Sequence, residues 1–349
     1  MNVPDCWAML KALLVGGLGA IIFALLHIPM PWMLGAICAV LCVQLFTKIH
    51  LKWHHVFRNI GLVLAGYSIG FAFTMEAFSE IKQYIMPMIV LNIVFFFLFI
   101  SISLLVMKRT GLDFSSALIC CVPGGMSQIL LFAEEEGNKN ISIITFYHVL
   151  RVLLIVSFVP LIVTGVDQGE STPAASGHFS WWLICLIGIC YVAGMFAQKI
   201  KMPTGYLLGP VFMLIGLNLS SYDVPQMPFE LLHIAQLFIG IYIGLMLKKD
   251  SLHLSKRNIA YAFISSIILL GTTFVFTLIM QKVYMLDFRT SFLSIVPGGL
   301  DQMGIIATSV QADVTIVTAF QLMRVLFVSI FIVPFVKLYN TKKIAHHEK

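Results

Sequence analysis

Two stretches of the chain break apolar runs with the same three residues: "CVPGGMSQIL" at 121–130 and "SIVPGGLDQMG" at 294–304. Proline lacks an amide hydrogen and frees the carbonyl four residues before it, and paired glycines allow the positive φ values of a tight reversal. Each stretch therefore predicts a helix that breaks at Pro-Gly-Gly. Because the break occurs twice, it indicates a repeated structural element.

The amino-acid composition indicates the environment in which these breaks lie. Of the 349 residues, 59% are hydrophobic and 11% are charged, whereas a soluble domain carries about 25% charged residues. This excludes a soluble enzyme and predicts an all-α integral membrane protein. Ten apolar segments are long enough to cross a bilayer about 30 Å thick: 9–27, 31–46, 59–75, 85–107, 141–164, 180–198, 204–220, 231–247, 259–281 and 314–338. The broken runs 114–133 and 288–309 are additional.

The two halves of the sequence superpose at an offset of 174 residues. The coinciding pairs are Pro29 and Pro203, Gly35 and Gly209, Gly66 and Gly240, Gly70 and Gly244, and Asp113 and Asp287. The motif Pro123-Gly124-Gly125 coincides with Pro297-Gly298-Gly299, and Gln128 coincides with Gln302. Arg151 coincides with Arg324 after a slip of one residue. We predict one membrane repeat at 1–164, an extracytoplasmic linker at 165–178 and a second membrane repeat at 179–349. Long internal repeats of this kind typify transporters.

Basic residues in short loops indicate that the repeats are inverted. The first loop, 27–31, has no Lys or Arg, whereas its counterpart, 199–201, has two. The next loop has the opposite bias, since 48–58 is basic and 221–230 is acidic. Because positive loops stay cytoplasmic, equivalent loops lie on opposite sides.

Inversion fixes how many segments cross. With cytoplasmic termini and an external linker, only one of the segments 114–133 and 141–164 crosses. The shorter segment 114–133 then enters and leaves on one face as a re-entrant hairpin with arms of about 12 Å. Its Pro-Gly-Gly would be the tip. The alternative is a kink in an ordinary spanning helix.

The predicted tips are candidate binding sites. The second arm of each hairpin begins a helix whose free N–H groups attract anions. The candidate substrate-binding residues are Pro123, Gly124, Gly125, Ser127, Gln128 and Arg151 in the first repeat, and Pro297, Gly298, Gly299, Asp301, Gln302 and Arg324 in the second.

Arg151 and Arg324 lie inside the spans 141–164 and 314–338, where a charge is a functional hypothesis. In one interpretation, each arginine binds the backbone carbonyls at the broken hairpin of its own half. In the other, both face a central cavity and hold an anionic solute by bidentate hydrogen bonds. The two interpretations are compatible.

The repeats differ chemically at three pairs of positions: Ser127 and Asp301, Asn140 and Asp313, and His148 and Gln321. His148, Asp301 and Asp313 are therefore candidate coupling residues for H⁺ or Na⁺. Histidine suits a proton relay because its ordinary pKa is near 6.5. Alternatively, the two aspartates cap helices and the histidine is only hydrogen-bonded.

No cofactor or metal site is expected. His50 and His54 are four residues apart, but no Glu follows the first of them in a metal-binding motif. The seven cysteines lie mostly in apolar runs and are interpreted as packing residues.

The repeated motifs resemble the AbrB-type duplicated membrane protein family over nearly the whole chain. These motifs are the two "PGG-x-x-Q" hairpins, the arginines in "FYHVLRVL" and "FQLMRVL", and the early "P-x-x-x-x-x-G" element. The family is unrelated to the DNA-binding regulator of similar name. It has been described as regulating expression of another gene and as an ammonia monooxygenase, and neither activity follows from the residues. The first repeat departs from the pattern at Asn140 and His148.

The expected function is secondary transport of a small, anionic solute at the repeat interface. The alternative is a membrane sensor or regulator that affects gene expression indirectly, since the sequence holds no nucleic-acid-binding module. A membrane oxygenase is disfavoured, because no His and carboxylate cluster with metal-ligand spacing lies within a span. We therefore expect no enzymatic activity. The expected partners are the lipid bilayer and the solute, and the sequence does not decide whether the chain forms a homo-oligomer. The expected location is the bacterial inner or plasma membrane.

Overall fold

The computed structural model describes residues 3–123, 133, 138, 140–166, 177–200, 202, 204–220, 222, 224–247 and 254–347. All regular structure in these ranges is helical. The helices are α1 (Val3–Leu25), α2 (Pro31–Phe46), α3 (His55–Phe71), α4 (Met75–Thr110), α5 (Phe114–Cys121), α6 (Ile141–Val166), α7 (Trp181–Lys199), α8 (Gly205–Leu219), α9 (Phe229–Gly244), α10 (Lys256–Tyr284), α11 (Phe288–Ile295), α12 (Leu300–Ser309), α13 (Val314–Phe327) and α14 (Val333–His347). A π-helical turn, Val328–Ile332, joins α13 to α14.

Six helical segments in the described ranges are long and apolar enough to cross a membrane: Asp5–Leu25, Ser79–Thr110, Ile141–Gly165, Trp181–Lys199, Lys256–Tyr284 and Val314–Asn340. The prediction of an all-helical membrane protein is confirmed. The four other predicted spans correspond to α2, α3, α8 and α9, which have 15–17 residues each. Such helices are only about 23–26 Å long.

Large apolar side chains on the outer helices point away from the protein interior. Examples are Leu25 on α1, Phe97 on α4, Phe196 on α7 and Ile267 on α10, each more than 60% exposed. Exposed apolar surface of this extent is costly in water and is expected where helices face lipid.

The order and lengths of the helices repeat along the chain. Two eight-residue helices, α5 (Phe114–Cys121) and α11 (Phe288–Ile295), begin 174 residues apart. Each is capped at its N-terminus by an aspartate, Asp113 or Asp287, whose side chain accepts from the backbone N–H three residues later. The sequence repeat therefore corresponds to a repeat of helices.

Glycines bring helices of different repeats into close contact. A Cβ added to Gly66 of α3 would overlap the carbonyl oxygen of Leu207 on α8. A Cβ at the equivalent Gly240 of α9 would lie 2.8 Å from the carbonyl oxygen of Met33 on α2. These are the small-residue contacts on which close helix packing in membranes depends. Each repeat therefore contributes one helix to the packing surface of the other.

Equivalent helices of the two repeats run antiparallel. In α3 and α9, Arg58 in the first turn of α3 lies over the ring of Tyr242 near the end of α9, and Phe57 contacts Phe238. In α4 and α10, Tyr84 contacts Tyr284 and Phe95 contacts Phe276, so the contacts run in opposite directions along the two helices.

Candidate functional site

The end of α11 is held by a buried arginine. Arg324 on α13 is 6% exposed. Its Nη1 donates to the carbonyl oxygens of Ile295 at 3.2 Å and Val296 at 2.9 Å, and its Nη2 donates to that of Gly298 at 2.9 Å. The last carbonyls of a helix have no partner within the helix, and a cation there also interacts favourably with the helix dipole. Arg324 thus lets α11 end inside the protein.

Gln321, one turn before Arg324, completes this carbonyl site. Its Nε2 donates to the carbonyl oxygens of Leu293 at 2.7 Å and Val296 at 3.2 Å. Its Oε1 accepts a hydrogen bond from Nη2 of Arg324. The glutamine therefore fixes the guanidinium and binds the same helix end.

The first repeat has the same arrangement with a histidine. Arg151 on α6 donates to the carbonyl oxygens of Cys120 at 3.4 Å, Cys121 at 3.1 Å and Val122 at 3.2 Å. His148 lies with Nδ1 2.6 Å from Nη2 of Arg151 and with Nε2 3.0 Å from the carbonyl oxygen of Ile119. Since arginine can only donate, Nδ1 accepts and Nε2 carries the hydrogen. His148 is then neutral, and both of its nitrogens are engaged, which argues against a proton relay.

These contacts favour the carbonyl-binding interpretation of the arginines. Each terminal guanidinium nitrogen of Arg151 and Arg324 already has two partners within its own repeat. A guanidinium has only two N–H donors on each of these nitrogens. A bidentate bond to a solute would therefore require some of these contacts to break.

Neither of the two positive charges forms an ion pair with a described carboxylate. The ion pair between Lys52 and Asp5 involves neither arginine. Arg151 is close enough for its charge to act on Arg324. Two buried cations with no carboxylate partner in the described part of the chain create a positive potential between the repeats.

The ends of the second broken segment meet. Thr290, in the first turn of α11, accepts at Oγ1 from the backbone N–H of Asp313, 2.9 Å away. Arg289 donates from Nη1 to the carbonyl oxygen of Val310 at 3.1 Å. Because Val310 and Asp313 follow α12, helices α11 and α12 form a hairpin whose entrance and exit are adjacent.

The first broken segment closes in a similar way. Ser116 of α5 accepts at Oγ from Nδ2 of Asn138 at 2.8 Å and of Asn140 at 3.1 Å. Asn140 also contacts Asp113 at 3.3 Å. Asn140 thus has a structural role, since its amide donates to Asp113, whereas an aspartate at position 140 could only repel that carboxylate.

The predicted backbone of the second tip is wrong. Gly299 has φ −79° and ψ 149°, values that any residue adopts. Among the described glycines, only Gly111 has positive φ. The missing side chain of Gly299 leaves space beside two polar side chains, because an added Cβ would meet Oε1 of Gln302 and Oδ1 of Asp301. An added Cβ at Gly298 would meet only the side chain of Met303.

Asp301 and Gln302 lie in the first turn of α12. Nε2 of Gln302 donates to Oδ2 of Asp301 at 3.1 Å. The Asp301 carboxylate lies in this first turn, and the charge of Arg58 on α3 acts on it. A sequence repeat does not reveal this role of Arg58, because its counterpart is Leu232.

The remaining predicted site residues fall into three groups. Asp313 caps α13 by accepting from the N–H groups of Thr315 and Ile316, both at 2.9 Å. Pro123 and Pro297 are buried at the breaks. The candidates Gly124, Gly125, Ser127 and Gln128 lie outside the described residues.

No group of three or more His, Cys, Asp or Glu side chains that could hold a metal ion occurs within the described ranges. The cysteines in these ranges are not paired with one another.

Comparison with known proteins identifies similar sequences. The sequence model of the family described as "Transition state regulatory protein AbrB" matches residues 32–340. The "Uncharacterized protein YhjN" of Bacillus subtilis (strain 168) is 24% identical over 93% of this chain and 91% of its own length. The "Putative regulator AbrB" of Escherichia coli (strain K12) is 29% identical over 64% of this chain and 66% of its own length.

Proposed function

The chain belongs to the AbrB family, and we propose that it is a secondary transporter of a small anionic solute in the bacterial cell membrane. The observation that carries this proposal is the pair of buried arginines, one in each repeat, at equivalent helix breaks. Broken helices at equivalent positions of two repeats are the usual location of a transporter's binding site.

The proposed architecture has two inverted repeats with ten spans. The antiparallel packing of α3 on α9 and of α4 on α10 supports inversion. Two repeats with the same orientation in the membrane would place equivalent helices parallel. The short helices α2, α3, α8 and α9 would complete the spans, and both termini would be cytoplasmic.

The hairpins would be re-entrant, with Pro-Gly-Gly at their tips. The bonds between Thr290 and Asp313 and between Ser116 and Asn138 support an entrance and exit on one face. Non-helical backbone at the depth of the bilayer centre is tolerated only where protein surrounds it or a water-filled cavity adjoins it. The tips would therefore line the cavity between the repeats.

The positive potential of Arg151 and Arg324 would select for an anion. Their N–H groups already bind backbone carbonyls. The positive charge of the guanidinium groups would therefore attract the solute without a bidentate hydrogen bond to it. An anion would offset the repulsion between the two guanidinium groups. This accounts for both the charge of the solute and the structural contacts of the arginines.

Transport by the purified protein tests this function. Proteoliposomes should take up or release at least one small organic anion faster than protein-free vesicles, and a gradient of H⁺ or Na⁺ should change the rate. If a panel of mono-, di- and tricarboxylates and other small anions shows no movement under any gradient, the transporter proposal fails.

A membrane regulator is the second candidate. The family description and the name of the Escherichia coli relative both refer to regulation. Regulation would act through a partner protein, since we propose no contact with nucleic acid. A variant that binds the solute without transporting it separates the two functions, because a regulator with this variant would keep its effect on gene expression. We propose neither an enzymatic activity nor a resident cofactor.

A further inference from the structure

The tip of the second hairpin holds an unsatisfied oxygen. Gln302 is 7% exposed, and its Oε1 has no hydrogen-bond partner in the described structure. The bond from Nε2 to Asp301 fixes the amide orientation, since the exchanged orientation would place Oε1 against a carboxylate oxygen. A buried acceptor without a partner is costly, so its presence requires an explanation.

Gly299 shows where this oxygen points. An added Cβ at Gly299 would meet Oε1 of Gln302 and would also lie 2.5 Å from Oδ1 of Asp301. Two acceptor oxygens, one of them on a carboxylate, therefore converge on a single point beside the first turn of α12. The backbone of Gly299 would accept any residue, so the missing side chain leaves this point open.

Two acceptors converge favourably only when a positive charge lies between them. Carboxylate and amide oxygens are the ligands of hard cations, and a protonated carboxyl can also donate to an amide oxygen. We propose that Asp301 and Gln302 bind a hard monovalent cation, Na⁺ or a proton, at this point. This inference rests on the proposed function in one respect: the gradient of the bound cation would drive movement of the solute.

The residues around the site differ between the repeats, and only the second repeat has the aspartate. The charge of Arg58 on α3 acts on Asp301, although the two form no ion pair among the described residues. Arg324 on α13 binds the carbonyl of Gly298, and Arg289 on α11 binds the far end of the hairpin. The first repeat has Ser127 where the second has Asp301. A neutral hydroxyl cannot supply the negative charge, so the chain would have one such cation site.

The sodium test uses the purified full-length protein and needs no solute. The melting temperature is measured in NaCl, KCl and choline chloride at equal ionic strength and fixed pH. If Na⁺ is the cation, NaCl should raise the melting temperature by about 2 °C or more over the other salts. Asp301→Asn and Gly299→Ala should abolish the rise. Asp287→Asn and Gly271→Ala should retain it, since the first preserves an exposed helix cap and nothing lies within 4 Å of a Cβ added at the second.

The proton test uses infrared difference spectra in Na⁺-free buffer over a range of pH. If the proton is the cation, the protein should show a protonated-carboxyl band that Asp301→Asn removes and Asp287→Asn keeps. The proposal is overturned if the native protein shows neither the sodium effect nor the band, or if either signal persists in Asp301→Asn. A confirmed cation site in a protein that moves no anion would contradict the transporter alone, and transport without a cation site would contradict only this inference.

Discussion

Arg324 donates from Nη2 to the carbonyl oxygen of Gly298 at 2.9 Å, between two helices that end and begin inside the protein. The same guanidinium binds the last carbonyls of α11 through Nη1. One buried charge thus stabilises a helix end for which membrane lipid offers no hydrogen-bond donor. Arg151 does the same for α5.

Replacing either arginine by glutamine should lower stability. Several buried carbonyls would lose their donors, at roughly 1–3 kcal/mol for each unsatisfied group. We expect Arg151→Gln and Arg324→Gln to lower the free energy of unfolding by about 2–5 kcal/mol. Thermal unfolding followed by fluorescence measures the loss. The exposed Arg257→Gln is the control, with a change within about 0.5 kcal/mol.

The affinity of these variants separates the two roles of the arginines. If they act only on carbonyls, the folded fraction of each glutamine variant should bind its anion as the native protein does. If their potential attracts the anion, as proposed here, affinity should fall in both variants. Arg→Lys should then keep most of the affinity, because lysine keeps the positive charge and loses only the planar, bidentate geometry of the guanidinium. A large loss in Arg→Lys would indicate bidentate contact with the solute.

His148 should be replaceable by glutamine. In the second repeat, Gln321 donates to carbonyls and accepts from the arginine, as His148 does in the first. His148→Gln should therefore keep melting temperature and transport near those of the native protein, whereas His148→Leu should destabilise it by about 1–3 kcal/mol. Loss of proton-dependent transport in a stable His148→Gln protein would instead identify His148 as a proton carrier.

The glycine contacts between the repeats should tolerate little change. Gly66→Leu would force apart α3 and α8, because even a Cβ overlaps the backbone of Leu207. We expect a stability loss of several kcal/mol, as is typical of overpacking. Gly271→Ala is the control, since nothing lies within 4 Å of its added Cβ and alanine favours a helix by about 1 kcal/mol. Gel filtration and melting temperature compare the two variants.

The aspartate that caps α13 should contribute less to stability than the buried arginines. Asp313→Ala should cost about 0.5–2 kcal/mol, because two N–H groups of the first turn lose their acceptor. Asp313→Asn should keep most of this stability and leave any dependence of transport on H⁺ or Na⁺ unchanged. If Asp313→Asn abolishes that dependence, Asp313 is a coupling residue.

Much of the helical framework could be predicted from the sequence. Apolar length and the Pro31 start place α2 at the same bounds as the predicted span, 31–46. Helix α4 is longer than its predicted 85–107, because Thr74 caps its start and Gly111 ends it with positive φ. Hydropathy detects the apolar centre of a helix and misses such polar ends.

The contacts of the candidate site were less predictable. The sequence left two partners open for the arginines, because the choice depends on where α5 and α11 end in space. Local sequence predicts positive φ at Gly299, but its backbone is extended, and the glycine instead leaves space beside the side chains of Asp301 and Gln302. The action of the Arg58 charge on Asp301 joins residues of different repeats, and no local pattern encodes it.

The opposite orientation of the two repeats is the central claim, and cysteine labelling in membranes tests it most directly. Single cysteines replace Ser171 in the predicted external linker and Lys343 near the C-terminus, in a variant without the seven native cysteines. With a membrane-impermeant reagent applied to intact cells, Ser171→Cys should react and Lys343→Cys should react only after the membrane is opened. If both cysteines react from the same side of the membrane, the inverted arrangement is wrong.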